Sequence, residues 1–340
     1  MELHAEVVHV TTRHPFYIAR GGQSNYRVVW VRLRDRDGAE GWGEASPSRF
    51  YGENADTVMM ALQALAPVLE KADAWSIEAV EQQLLGTIRF NAAARCAVSA
   101  ALHDLAAKRL GIPLYRLWGL DPHAAPTSSF TIGIAPDEAT LRSRVREASA
   151  YPILKIKLGS SWDRDVLRIV REEAPNATLR VDANCAWSAK QTLGMLDVLT
   201  DVGVDLLEQP LPPEDLTGLR FVRERSPIPV IADESCLVAS DIPKLEGVVD
   251  GINLKLAKCG SLREALRMIA VARAHGMRVM CGCMIETTLG IAAAAHFAPL
   301  LDDADLDGAA LLADDPFTGP GIPGGRVTLG DAPGLGVSRR

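Results

Sequence analysis

The chain has 340 residues, of which 48% are hydrophobic and 23% charged, and a formal net charge of −7. That length suits a barrel of about 200–250 residues plus a smaller partner domain, and the composition is that of an ordinary soluble globular protein. An acidic balance without a basic run argues against a nucleic-acid partner. The start lacks the basic-then-apolar order of a signal peptide and no apolar run of about 18 residues occurs, so the reading is cytoplasmic with no membrane partner.

The first stretch reads as strands over 6–10, 27–34 and 39–44, with a hairpin signal at Asp35-Arg36-Asp37-Gly38. Helical periodicity follows over 55–71, 77–85 and 91–110, and Gly111-Ile112-Pro113 stops the last helix. Strands followed by helices predict a separate α+β domain over 1–122. From about Ser128 the pattern becomes strand and helix alternation. Strands should end near Ile132, Leu158, Asp182, Glu208, Asp233, Lys255 and Gly282, with an eighth around Leu311. Helices over 136–150, 163–173, 189–202, 240–245 and 262–275 should lie between them. This is the βαβ repeat of a parallel α/β barrel, placed at 123–315. The Gly- and Pro-rich segment 316–340 should return over the first domain. The six cysteines contain no CxxC pair and read as reduced, mostly buried thiols.

Four apolar, β-branched runs end in charge: Lys155-Ile156-Lys157, Val181-Asp182-Ala183-Asn184, Leu207-Glu208-Gln209-Pro210 and Ala232-Asp233-Glu234-Ser235. Ile252-Asn253-Leu254-Lys255 adds a fifth. From 157 through 182, 208 and 233 to 255 the intervals are 25, 26, 25 and 22 residues, roughly one strand, one helix and two loops. The C-terminal ends of barrel strands share one mouth, so these charges should converge. Asp182, Glu208 and Asp233 then offer three hard carboxylates suited to one Mg²⁺ per subunit. Glu234 follows a ligand directly and should point the other way along its strand. Glu286 has no assigned role.

Lys155 and Lys157 are two apart in a strand and face the same side. Lys255 comes from the sixth strand, across an eight-strand barrel from the second. Two amines opposed across a metal-held carboxylate suit removal of a proton from the adjacent carbon and its return on the other face, through a metal-stabilised enediolate. Lys258 lies beyond Lys255 and reads as a surface residue.

With Gly41-Trp42-Gly43-Glu44-Ala45 added, these segments resemble the muconate-lactonising-enzyme subgroup of the enolase superfamily over nearly the whole chain. The resemblance implies a modified TIM barrel, (β/α)7β, beneath an N-terminal cap. Met284-Ile285-Glu286-Thr287 and Asp305-Leu306-Asp307 further resemble the dipeptide epimerases of that subgroup. By that resemblance the metal takes the dipeptide carboxylate, Lys157 and Lys255 exchange the α-proton of the C-terminal residue, and Lys155 supports the developing charge. Asp305 and Asp307 would hold the free ammonium, while Thr131, Cys283, Met284 and Ile285 contact the substrate. Arg20, Phe50 and Tyr51 in the capping loops would read the C-terminal side chain, with L-Ala-D/L-Glu the favoured pair. A homo-oligomer is expected. The alternatives are an N-succinylamino acid racemase or o-succinylbenzoate synthase using the same residues, or a non-catalytic Mg²⁺-dependent binding barrel.

Overall fold

A computed structural model describes residues 1–340. The chain opens with an antiparallel sheet of β1 (Glu2–Ile18), β2 (Gly21–Arg34) and β3 (Glu40–Ala45). Helices α1 (Ala55–Lys71), α2 (Ile77–Thr87), α3 (Ala92–Leu110) and α4 (Leu114–Leu117) follow. Asn54 starts α1 with a capping box to Thr57, which satisfies two otherwise orphaned amides. Leucines such as Leu62, Leu65 and Leu69 bury the inner face of α1 in a core shared with β2 and α3. The spacing of Gly41 and Gly43 has a steric cause. A Cβ at either position would collide with the α3 backbone, at the carbonyls of Ala101 and Ala97 respectively. Only glycine lets β3 lie this close to the helix.

The second half alternates. Strands β4 (Phe130–Ile132), β5 (Ile153–Lys157), β6 (Thr178–Asp182), β7 (Val204–Glu208), β8 (Val230–Ala232), β9 (Gly251–Leu254), β10 (Arg278–Gly282) and β11 (Asp303–Asp305) form one parallel sheet in chain order. A bridge from Ser128 to Ala304 joins its two edges. The crossovers carry α5 (Glu138–Glu147), α6 (Asp163–Glu173), α7 (Ala189–Asp201), α8 (Leu216–Arg223), α9 (Ile242–Leu245), α10 (Leu256–Cys259), α11 (Leu262–Ala274) and α12 (Thr288–Ala295). Seven connections contain helix and none follows β11, which is the (β/α)7β arrangement. No helix is long and apolar enough to cross a membrane.

The apolar cores lie between strands and outer helices, where α6 sets Val166, Leu167 and Val170 against the sheet. Inside the barrel the apolar plug is small: Leu206, Ile231 and Met280. Much of the remaining interior is ionic. Near the strand starts Asp303 is held by Arg180 and Arg278.

The eighth strand differs from expectation. It lies at Asp303–Asp305, and Leu311 sits in the loop beyond it. Two acids in a three-residue strand give no apolar signal, and they are tolerated because cations inside the barrel pair with them. Helix α8 and helix α12 had no counterpart among the expected helices. The last segment, with the short pair β12 (Phe317–Thr318) and β13 (Ser338–Arg339), returns to the cap. There Phe317 packs edge-on against Trp30 with ring centroids 4.8 Å apart, and Leu335 donates its amide to Asp104 at 2.7 Å.

Candidate active site

Strand register assembles the charged cluster. Lys157 pairs with Asp182 across β5 and β6, and Asp182 with Glu208 across β6 and β7, so the three form one row at the strand ends. Asp233 is the first residue beyond β8, and Lys255 the first beyond β9. In the eight-strand order β9 stands four places from β5, which sets Lys255 opposite Lys157. One row lower, Lys155 is in register with Thr131 on β4.

Asp182, Glu208 and Asp233 are fully buried, and one carboxylate oxygen from each lies within 4.8 Å of the others. Lysines crowd them. Lys157 Nζ donates to Asp182 Oδ2 at 2.5 Å and Lys255 Nζ to Asp233 Oδ2 at 2.6 Å. Lys155 Nζ donates to Asp305 Oδ2 at 2.7 Å. It also lies 2.7 Å from Glu208 Oε2, yet off the angle of a hydrogen bond, so that buried oxygen has no donor. Burial pushes Glu208 up to about 8, helped by Asp182. Burial acts the same way on Asp182 and Asp233, but Lys157 beside one and Lys255 with Lys258 beside the other hold both far below the usual range. Burial disfavours the ammonium of Lys155 and Lys255 too, but Asp305 and Glu208 around the first and Asp233 and Glu208 around the second outweigh it and hold both above the ordinary lysine value. Three hard oxygen donors, one of them unsatisfied, fit a magnesium-class cation.

Above this floor opens a cavity of about 870 Å³ between cap and barrel. Thr131, the three lysines, Asp233, Asp305, Asp307, Cys283, Met284 and Ile285 reach it from the barrel, and Arg20, Phe50 and Tyr51 from the cap. Asp182 and Glu208 lie beneath its surface. Asp307 Oδ2 accepts the Thr131 amide at 2.5 Å, and Asp305 Oδ1 accepts Ser129 Oγ at 2.6 Å. Burial, with Asp305 beside it, raises Asp307 to about 6. The cap fixes the loop after β10: Ser46 Oγ donates to Ile285 O at 2.8 Å, and Glu44 accepts both the amide and the hydroxyl of Thr287. Glu286 accepts the Met284 amide at 2.9 Å.

Several residues stand differently from the sequence reading. Lys258 is wholly buried rather than on the surface, with Nζ on Asp233 Oδ1, Asp233 O, Asn253 O and Cys236 O. Its place in α10, directly after the strand end, turns it inward. Glu234 faces the cavity instead of pointing away, because β8 ends at Ala232 and strand alternation ends with it. Arg20 is already engaged: Nη2 lies 2.7 Å from Glu234 Oε1, Nη1 donates to Asn184 O at 2.7 Å, and its guanidinium carbon sits 4.2 Å from the Phe50 ring centroid. Asp305 is likewise partnered by Lys155 rather than free.

Other residues drew no expectation. Gln209, at φ +32 directly after Glu208, accepts the amides of Asp233 and Ser235 and thereby ties the loops after β7 and β8 together. Asn253 Nδ2 donates to Glu208 Oε1 at 2.8 Å. Its signal was its place two residues before Lys255, on the same inward face.

Comparison with known proteins agrees with this architecture. Residues 138–340 match the family described as enolase C-terminal domain-like, and residues 2–119 match the mandelate racemase / muconate lactonizing enzyme N-terminal domain. The chain is 40% identical to an L-Ala-D/L-Glu epimerase of Bacteroides thetaiotaomicron over 331 residues, covering 96% of this chain and 85% of that one. It is 38% identical to an L-Ala-D/L-amino acid epimerase of Maribacter over 327 residues, 96% of each chain. A dipeptide epimerase of Enterococcus faecalis, solved with Mg and the dipeptide L-Leu-L-Tyr, superposes with a TM-score of 0.94 at 31% identity over 99% of both chains.

Proposed function

The chain belongs to the mandelate racemase / muconate lactonizing enzyme family of enolase-like proteins, and from that premise we propose that it is a dipeptide epimerase, inverting the α-carbon of a dipeptide's C-terminal residue. The observation that carries this reading is the opposition of Lys157 and Lys255 across a cavity that also holds a carboxylate-lined metal centre and a second acidic pair, Asp305 and Asp307.

Asp182, Glu208 and Asp233 would hold Mg²⁺, which supplies concentrated positive charge beside the substrate carboxylate and so acidifies the adjacent C–H. The remaining work falls to the chain's own groups. A lysine on one face, in the neutral form open to it once its carboxylate partner is drawn to the cation, takes the α-proton onto Nζ. The lysine on the other face, as ammonium, returns a proton to the flattened carbon, and the configuration inverts with no net change in protons. Lys155, enclosed by carboxylates and only 1% exposed, stays an ammonium and supports negative charge gathering at the substrate carboxylate. Asp305 and Asp307 receive the free α-ammonium, with Thr131, Cys283, Met284 and Ile285 lining its end of the cavity. Two acids at a site mouth favour a cation there. An N-acylated substrate has no such charge to offer, which argues against an N-succinylamino acid racemase.

Arg20, Phe50 and Tyr51 read the C-terminal side chain. Because Glu234 shares Arg20, a substrate glutamate would compete for a guanidinium already half used. L-Ala-L-Glu is therefore the first dipeptide to test, with neutral dipeptides beside it. The same reading divides the chain into cap (1–122), barrel (123–315) and returning tail (316–340), and places it in the cytoplasm as a homo-oligomer.

The deciding experiment incubates the purified protein with Mg²⁺ and a panel of L,L-dipeptides in D₂O. Deuterium should enter at the C-terminal α-carbon as the L,D epimer appears. Exchange with N-succinylamino acids alone would discard the roles given to Asp305 and Asp307.

A further inference from the structure

Each of the three clustered carboxylates has one oxygen tied down by a protein donor other than the cavity lysines. Asp182 Oδ1 accepts the Asn184 amide at 2.8 Å, an approach made possible by the left-handed Asn184 backbone at φ +45. Glu208 Oε1 accepts Asn253 Nδ2 at 2.8 Å. This orientation of the amide is required, since the alternative would set an oxygen against the carboxylate. Asp233 Oδ1 accepts Lys258 Nζ at 2.6 Å. Lys258 spreads its three N–H groups over that oxygen and the carbonyls of Asp233, Asn253 and Cys236 at 2.6–3.0 Å, so it pins the carboxylate while fastening the end of β8 to β9.

What remains is one oxygen per carboxylate. Asp182 Oδ2 and Asp233 Oδ2 meet only the ammonium groups of Lys157, Lys155 and Lys255 and a longer 3.2 Å bond from Asn184 Nδ2. Glu208 Oε2 accepts no hydrogen bond and has only the Lys155 ammonium beside it, at 2.7 Å. We propose that Lys258, Asn253 and the Asn184 amide are positioning residues that make every ligand of the site monodentate, and thereby set it for a Mg²⁺-sized ion against Ca²⁺. This rests on the reading that the three acids hold a divalent cation.

The reasoning is coordination chemistry. Mg²⁺ keeps a tight octahedron and is content with single carboxylate oxygens plus water, whereas Ca²⁺ takes six to eight oxygens and gains from bidentate carboxylates. Here a second oxygen becomes available only if a buried hydrogen bond is broken, two of them within a neutral amide's reach and one held by a full positive charge. The protein therefore withholds the oxygens that the larger ion needs.

The test is calorimetric titration of the metal-free full chain with Mg²⁺ and, separately, with Ca²⁺, in wild type, Asn253→Ala and Lys258→Met. Wild type should bind Mg²⁺ more tightly. Each variant should shift the ratio of the two dissociation constants toward Ca²⁺ by about tenfold or more, the scale on which ligand-orienting groups act. A purely structural loss would weaken both ions alike and leave the ratio unmoved, which overturns the proposal, as does wild type binding the two ions equally. If Lys258→Met does not fold, Asn253→Ala decides alone. Wild type that binds neither ion overturns the metal reading itself.

Discussion

With Lys157 and Lys255 opposed across the cavity, removing one should leave half of the chemistry. Lys157→Ala and Lys255→Ala should each lower epimerisation by about 10²–10⁴-fold. Each should still exchange the α-proton of one epimer with D₂O, and the two variants should retain opposite epimers. Loss of exchange from both epimers in either variant, followed by mass spectrometry, would exclude a base on each face. The acidic pair should separate by role. Asp307 is tied only to the Thr131 amide and Cys283, so Asp307→Asn should raise KM for free dipeptides by about 10- to 100-fold, the worth of a charge-assisted hydrogen bond. Asp305 also holds Lys155, so Asp305→Asn should lower kcat as well. An equal pattern in both variants would contradict this division. At this scale the three clustered carboxylates and the lysines stood out in sequence because a charge that closes a β-branched run is rare and here recurs at even spacing. Lys258 did not, because a lysine four residues past a strand end is usually solvated, and nothing local records that four buried oxygens surround it.

Among the elements, β3 both seals the cap and holds the loop after β10. Its glycines lie against α3, and Glu44 with Ser46 just beyond it grips residues 285–287. Gly43→Ala should therefore destabilise the fold by about 1–3 kcal/mol through overpacking against the helix backbone, read by denaturant unfolding. A variant as stable as wild type would mean that β3 can shift away freely. The same junction makes stability depend on pH. Burial pushes Glu44 up to about 8, with Glu286 adding to it, and burial pushes Glu286 up to about 7, from an ordinary 4.5. Between these values the folded chain binds more protons than the unfolded one, so its stability falls as pH rises from about 4.5 to about 8. Glu286→Gln removes one titrating group, so its melting temperature should gain on wild type as pH rises from about 4.5 to about 7. A constant difference across that range would show that Glu286 does not titrate there. Long periodic elements were legible without a structure: the helices at 55–71 and 163–173 occupy the predicted bounds. Of the three-residue strands, β8 was marked by the charge that follows it and β4 was found without one, whereas β11 was misplaced because its alternation is acid, alanine, acid.

For the whole molecule, the charged floor makes the cation part of the fold. An ion that binds only the folded chain adds stability by mass action, about 2.7 kcal/mol at a hundredfold excess over Kd. Melting temperature should climb with Mg²⁺ in wild type and stay flat in an Asp182→Asn/Glu208→Gln variant, whereas parallel curves would place the ion elsewhere. The barrel and its cap were readable from the order of strands and helices, but how the two close on each other was not, since the contacts between 44–46 and 285–287 are set by tertiary packing alone. The tail closes the cap from the far end of the sequence, with Phe317 on Trp30 and Leu335 on Asp104. That imposes an order on synthesis. Trp30 emerges from the ribosome early and its partner among the last residues, an interval of roughly 15–60 s at about 5–20 residues per second. Throughout that time the nascent cap carries an uncovered aromatic edge, so a chain released short of Phe317 should present itself to chaperones and proteases even when its barrel strands are all in place.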